Sequence, residues 1–221
     1  MAVVASLLVP NLAMAGTLDQ EQPTVAPMAL NAHSTQSVAQ TFTAGLSGKL
    51  DQVDLNLNMS GSPPVPVIVD LRDASGGLPG SAILASQNVL SSDVVAFPGS
   101  GWVSFVFPTP APVTAGTQYA IVAHSAAVFP ETYAWSQGVG TDPYSRGAAY
   151  LASPPTAPWM PVPIGPPDFA FKTYVVPQPT QTPTGAAPPT GKRGAALKKC
   201  KKKHSKKARR KCRKKAKRLP V

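Results

Sequence analysis

Past Gly191 the sequence has no aspartate, no glutamate and no aromatic side chain, yet 17 of its 21 Lys and Arg lie there. The rest of the chain is poor in the opposite sense. Residues 1 to 191 hold four cations (Lys49, Arg72, Arg146, Lys172) against all ten carboxylates, a net of −6 beside a tail of +17. Without acid the tail has no internal ion pairs. Without aromatics it offers no platform on which bases stack, so contact with nucleic acid would be non-specific and made through phosphate alone. No apolar run approaches the roughly 20 residues that span a bilayer as a helix.

Catalytic groups are equally scarce. There are three histidines, His33, His124 and His204, with no H-E-x-x-H, no G-x-S-x-G and no phosphate-binding loop; Gly45 to Lys49 ends in Gly-Lys but lacks the earlier Gly and the following Ser or Thr. His124 and Ser125 are adjacent, but neighbours on a strand point to opposite faces. Asp70 and Asp73 flank Arg72 before a Gly-rich turn, where an Arg72 ion pair and a turn-capping Asp73 fit better than a calcium loop, whose spacing is absent. The sequence therefore predicts a protein that is not an enzyme and carries no cofactor or metal. The competing reading, an enzyme of polysaccharides using loop carboxylates such as Asp142 and Asp168, requires two carboxylates facing each other across a groove.

What is present is organised along the chain. Ala2 to Val9 is an apolar run of signal-peptide length, although no Lys or Arg precedes it, and Ala13-Met14-Ala15 forms a small-x-small cleavage site before Gly16. Residues 1–15 are thus expected to be a signal peptide, and the product secreted or held at the cell surface. From Gly16 to Val176 about 160 residues remain, the size of one domain. The segments 38–44, 50–57, 65–72, 82–90, 102–107, 118–124, 132–137 and 168–175 alternate apolar and polar residues in the two-residue period of half-buried strands. In 50–57, Val53, Leu55 and Leu57 share one face while Asp54 and Asn56 share the other. Glycine- and proline-rich turns separate the segments, among them 45–48, 60–64, 74–80, 98–101, 109–116, 138–143 and 153–158. The expectation is an all-β fold, an antiparallel jelly-roll-like β-sandwich.

The order of blocks is specific. AQTFTAGLSGKLDQVDLNL (39–57), VDLRDASGGLPGSAILAS (69–86), WVSFVF (102–107), PVTAGTQYAIV (112–122) and DFAFKTYV (168–175) resemble the bacterial secreted β-sandwich modules known as choice-of-anchor domains. The resemblance covers residues 18–176 and departs from the family pattern at Tyr144-Ser145-Arg146-Gly147 and over 154–167. It implies a carbohydrate-binding-like jelly roll in a cell-surface setting and carries no catalytic residues.

Planar rings stack on sugar faces, so Tyr133, Trp135, Tyr144 and Trp159, close to turns in the last third of the domain, are the candidate ligand-binding residues for a glycan. Core packing is the competing reading for Tyr133 and Trp135, which share a face, and Trp102, set in an apolar strand, is read as core. Asn58-Met59-Ser60 has the form of a glycosylation acceptor.

Residues 177–191 are too rich in proline and too poor in apolar surface to fold, and form a linker reaching about 45 Å if extended. Residues 192–221 form a basic tail whose candidate polyanion-binding residues are Lys198, Lys199, Lys201, Lys202, Lys203, Lys206, Lys207, Arg209, Arg210, Lys211, Arg213, Lys214 and Lys215. Its Lys, Arg and Ala favour helix while like charges at i,i+4 oppose it, so it should fray in water and become helical when neutralised. In an exported protein its partner would be an extracellular polyanion, a cell-wall polymer or an anionic lipid surface, with nucleic acid the alternative only if residues 1–15 stay attached. Cys200 and Cys212 are a disulfide candidate. A straight helix sets them about 18 Å apart, against about 7 Å at most between bonded Cα atoms, so a bond demands a bend near His204-Ser205. A zinc site built from these two Cys and His204 would lack a fourth ligand.

Overall fold

A computed structural model describes residues 16–163, 165, 167–178, 191–202 and 204–219. The chain divides into two units at Gln178–Pro179. The signal-peptide segment 1–15 and most of the linker, residues 179–190, lie outside the described residues.

The first unit is a β-sandwich of two antiparallel sheets. One sheet is built on β4 (Gly48–Ser60). Along one side of it lies β7 (Gly101–Val113); along the other, end to end, lie β12 (Phe171–Pro177) and β9 (Thr132–Ser136). β1 (Thr17–Gln22) pairs with β12, and β2 (Ala29–Ala32) with β9. The second sheet runs β11 (Met160–Pro161), β10 (Ala149–Ala152), β3 (Ser37–Thr43), β8 (Gln118–Ser125), β5 (Val67–Ser75), β6 (Leu78–Val89).

Alternation does the folding work. Val53, Leu55 and Leu57 of β4, Val67, Val69 and Leu71 of β5, Val103, Phe105 and Phe107 of β7 and Ile121 of β8 all turn inward into one buried cluster. Each such side chain contributes about 1.5–3 kcal/mol when fully buried. Nearly every segment read as a strand is one, with three adjustments, the first being that the expected turn 74–80 shrinks to Gly76-Gly77 between β5 and β6. The stretch 109–113, expected as a turn, continues β7; its prolines, Pro108, Pro110 and Pro112, are tolerated because β7 is an edge strand, and residues 107–110 bulge opposite Asp51. Asp168 to Ala170 precede β12, which runs on through Pro177.

Four strands escaped the sequence reading, β1, β2, β10 and β11: β2, β10 and β11 are only two to four residues long, too short to show a period, and the inward positions of β1 are polar. In β1 two buried glutamines take core positions and are satisfied there. Gln22 Nε2 donates to the carbonyls of Thr24 (3.1 Å) and Phe169 (3.3 Å), and Gln20 Oε1 accepts from Tyr144 Oη (2.9 Å) and Arg146 Nη1 (3.0 Å). The loop through Tyr144–Gly147 is pinned to β3, where Thr43 Oγ1 donates to the Arg146 carbonyl and a Cβ on Gly147 would strike the Thr41 carbonyl oxygen, so glycine alone fits.

The second unit is a helical hairpin, α1 (Gly191–Lys201) and α2 (Lys206–Ala216). Ser205 caps α2, its Oγ accepting from the Ala208 amide at 3.2 Å. Cys200 and Cys212 are bonded, with Cα atoms 5.5 Å apart, and the bend that this requires falls between Lys201 and Lys206. Among the described residues no helix is long and apolar enough to cross a membrane.

Candidate functional site

The four aromatics proposed from sequence do not form one surface. β9 turns Tyr133 and Trp135 into the core, both 0 % exposed. There Tyr133 Oη donates to the Val65 carbonyl at 2.7 Å, and Trp135 Nε1 to the Ala170 carbonyl at 2.8 Å, while the indole stacks on Phe169 at 4.7 Å. Tyr144, 7 % exposed, meets Phe171 edge-on at 5.0 Å, and burial pushes its hydroxyl pKa up to about 12. These three rings are structural: their polar tips are satisfied by internal acceptors, all three are buried, and Trp135 and Tyr144 also meet neighbouring rings, leaving none of them to stack on a ligand. Trp159 is half-buried on the outward face of the second sheet, where with Tyr150 it packs on Ala39, Ala120 and Val122.

The exposed indole is Trp102. Alternation in WVSFVF sends Val103, Phe105 and Phe107 inward and therefore turns Trp102, Ser104 and Val106 outward; Trp102 is 38 % exposed, with Lys172 Nζ 4.5 Å from its ring centroid. The reading of Trp102 as core is thus corrected, and the signal was in the sequence, since three large apolar residues at two-residue spacing leave the Trp just before them on the other face. Around it the outward face of the first sheet is mostly polar. Reading across the ladder, Glu21, Lys172, Asp54 and Ser104 lie in one row and Leu18, Tyr174, Gln52 and Val106 in the next, with Leu18 and Val106 the exposed apolar members, while Asn56 stands opposite Trp102. Asp54 accepts from Tyr174 Oη (2.9 Å) and Gln52 Nε2 (2.7 Å); burial, with the neighbouring Asp54 carboxylate, raises the Tyr174 pKa to about 12 and keeps it a donor. Asn56 is 5 % exposed and its Oδ1 has no hydrogen-bond partner. Asn58, of the glycosylation motif, is buried on the same strand.

On the outward face of the second sheet, Asp70 pairs with Arg72 (Nη2 to Oδ2 2.6 Å), accepts from Ser86 Oγ (2.7 Å) and lies 3.3 Å from His124 Nε2, without hydrogen-bond alignment to it. Burial alone would raise Asp70, but His124, Arg72 and Ser86 together bring it down to about 2. Asp73 accepts from the Ala82 amide at 2.9 Å, capping its turn. Ser125 faces inward and donates to the Pro66 carbonyl, away from His124.

Asp168, named for the enzyme reading, is 0 % exposed; it accepts from Gln40 Nε2 (2.8 Å) and the Tyr144 amide (3.1 Å), and burial raises it to about 6. It ties β3 to the segment before β12, and the Asp142 carboxylate adds a smaller upward push to its pKa. Asp142 is exposed. Among the described residues no group of three or more His, Cys, Asp or Glu assembles as a metal site.

In the tail, every described Lys and Arg from Lys198 to Arg218 is exposed, while Cys200 and Ala216 are buried; Lys203 lies outside the described residues. The cations close the last turn of each helix, Lys198, Lys199 and Lys201 in α1 and Arg213, Lys214 and Lys215 in α2, where positive charge favours the helix dipole. The tail, expected to fray in water and to become helical on neutralisation, is a pair of helices joined by the disulfide and bend that the cysteine spacing implied, with a break, a cap and a covalent bond supplying what packing does not. Comparison of the chain with protein-family models, with curated proteins and with solved structures returned no match in any of the three.

Proposed function

We propose that this protein is a secreted, non-catalytic binding module of the bacterial cell surface, a choice-of-anchor type sandwich whose basic hairpin attaches it to an extracellular polyanion such as an anionic wall polymer or lipid surface. The observation that carries this reading is the separation of charge. Seventeen cations and no carboxylate lie in residues 192–221, while the preceding residues are net negative. A polycation so placed attracts anions on contact, and beyond a Debye length of about 8 Å at physiological salt it acts apart from the acidic body. Because the disulfide fixes the two helices against each other, the exposed cations are held in place before binding, which lowers the entropy lost on attachment. Fractionation of expressing cells tests the reading. Removal of residues 192–221 should shift the protein from the surface-bound to the released fraction in low salt; an unchanged bound fraction would contradict it.

A further inference from the structure

We propose that the outward face of the first sheet, centred on Trp102, is a binding site for a neutral polysaccharide chain. The proposal takes up the binding-module reading but not its anchor, since the site lies wholly on the sandwich. The face joins the two chemistries that a sugar presents. Trp102 offers an exposed ring for the apolar C–H face of a pyranose, with exposed Val106 beside it. Gln52, Asn56, Ser104 and Tyr174 offer amide and hydroxyl partners for sugar hydroxyls.

The groups are held in place before any ligand arrives. Tyr174 and Gln52 fix Asp54 from two sides, and Lys172 sits against the indole. One acceptor is left over: buried Asn56 Oδ1 lacks the donor that such a group ordinarily has. A sugar hydroxyl supplies that donor once the indole, its cross-strand neighbour, shifts aside, a side-chain movement that is ordinary on binding. Gln52 to Asn58 covers about 20 Å of strand, so the face is a track for a chain and not a socket for a single ring.

Charge selects a neutral occupant. Lys172 is the only cation in these rows, and Glu21 and Asp54 lie on either side of it in the ladder, so an anionic polymer meets more repulsion than attraction here. The opposite outward face is a weaker candidate, because Asp70 is already saturated by Arg72 and Ser86, and Trp159 is packed down on Ala39, Ala120 and Val122.

The test uses the full chain in 0.5 M salt, which screens the tail, against soluble hydroxyethylcellulose, xyloglucan, galactomannan, mixed-linkage β-glucan and dextran, read by affinity electrophoresis and tryptophan fluorescence. At least one polymer should retard the protein and change its emission. Trp102→Ala should weaken that binding at least tenfold. Ser104→Arg, a change at an exposed position that fills the track, should do the same with melting temperature unchanged, while Trp159→Ala and removal of residues 192–221 leave it intact. The proposal is overturned if none of the five polymers binds, or if Trp102→Ala and Ser104→Arg bind as the parent does. Either result leaves the tail's attachment to anionic polymer standing or falling on its own fractionation test.

Discussion

The two units hold together by opposite means. The sandwich buries side chains from both sheets in one cluster, with Phe42, Phe105, Trp135, Phe169 and Phe171 fully enclosed. The hairpin buries a cysteine, an alanine and Gly194, and relies on one covalent bond and one serine cap. The sandwich keeps few charges and turns its apolar positions inward, whereas 17 of the 30 residues from Lys192 to Val221 are cations, exposed wherever described from Lys198 onward. A segment so occupied with charge has no apolar surface left for a core, and a disulfide replaces it by restricting the unfolded chain.

That contrast can be broken at either end. The largest effect is expected in the sandwich, where Trp135→Ala removes a stacked, hydrogen-bonded core ring and should cost about 3–5 kcal/mol in urea unfolding, with the helical signal of the tail unchanged. Next comes reduction of Cys200–Cys212, or Cys200→Ser, which removes a cross-link worth about 3 kcal/mol for a loop of this length. Far-ultraviolet circular dichroism should then lose the tail's helical contribution while the melting temperature of the sandwich stays put. A joint loss of both would show that the units are not separate.

Acid titration sharpens the picture within the sandwich. Asp70 is held at about 2, below its ordinary 3.8, so it contributes above about pH 4 and that contribution is lost as pH falls toward 2, about 2 kcal/mol in all. Asp168 runs the other way: raised to about 6, its contribution is present below pH 4 and lost as pH rises through 6. Asp70→Asn should flatten the acid limb of a stability profile and leave the limb near pH 6 in place. The smallest effect belongs to Ser205→Ala, about 1 kcal/mol of α2 stability through loss of the cap, visible as reduced helicity in the tail alone.

Much of this architecture was legible beforehand, and the residues that were not share a cause. Alternation exposes itself wherever the inward residue is apolar, as in Val53-x-Leu55-x-Leu57, so the central strands and the sandwich could be read directly. β1 could not be, since its inward Gln20 and Gln22 replace core hydrophobics with amides whose partners, Tyr144 and Phe169, come from more than 100 residues away. The candidate site went astray for a related reason. Proximity to turns made Tyr133, Trp135 and Tyr144 look accessible, but the face of Tyr133 and Trp135 follows from strand phase, and Tyr144 is drawn in from its loop by Gln20, Asp168 and Phe171. Phase, applied to WVSFVF, picks out Trp102. In the tail, the spacing of the two cysteines pointed to a bond with a bend near His204-Ser205, which is where the chain turns, whereas the cap that Ser205 supplies to α2 was not read.

The central claim is that attachment to anions resides wholly in the basic hairpin. It is tested most directly by measuring binding of the full chain, and of a chain ending at Gly191, to vesicles containing anionic lipid and to poly(glycerol phosphate) at low and at 0.5 M salt. The account predicts that the full chain binds at low salt and is released at high salt, while the shortened chain binds at neither. Equal binding by the two chains at low salt would contradict it.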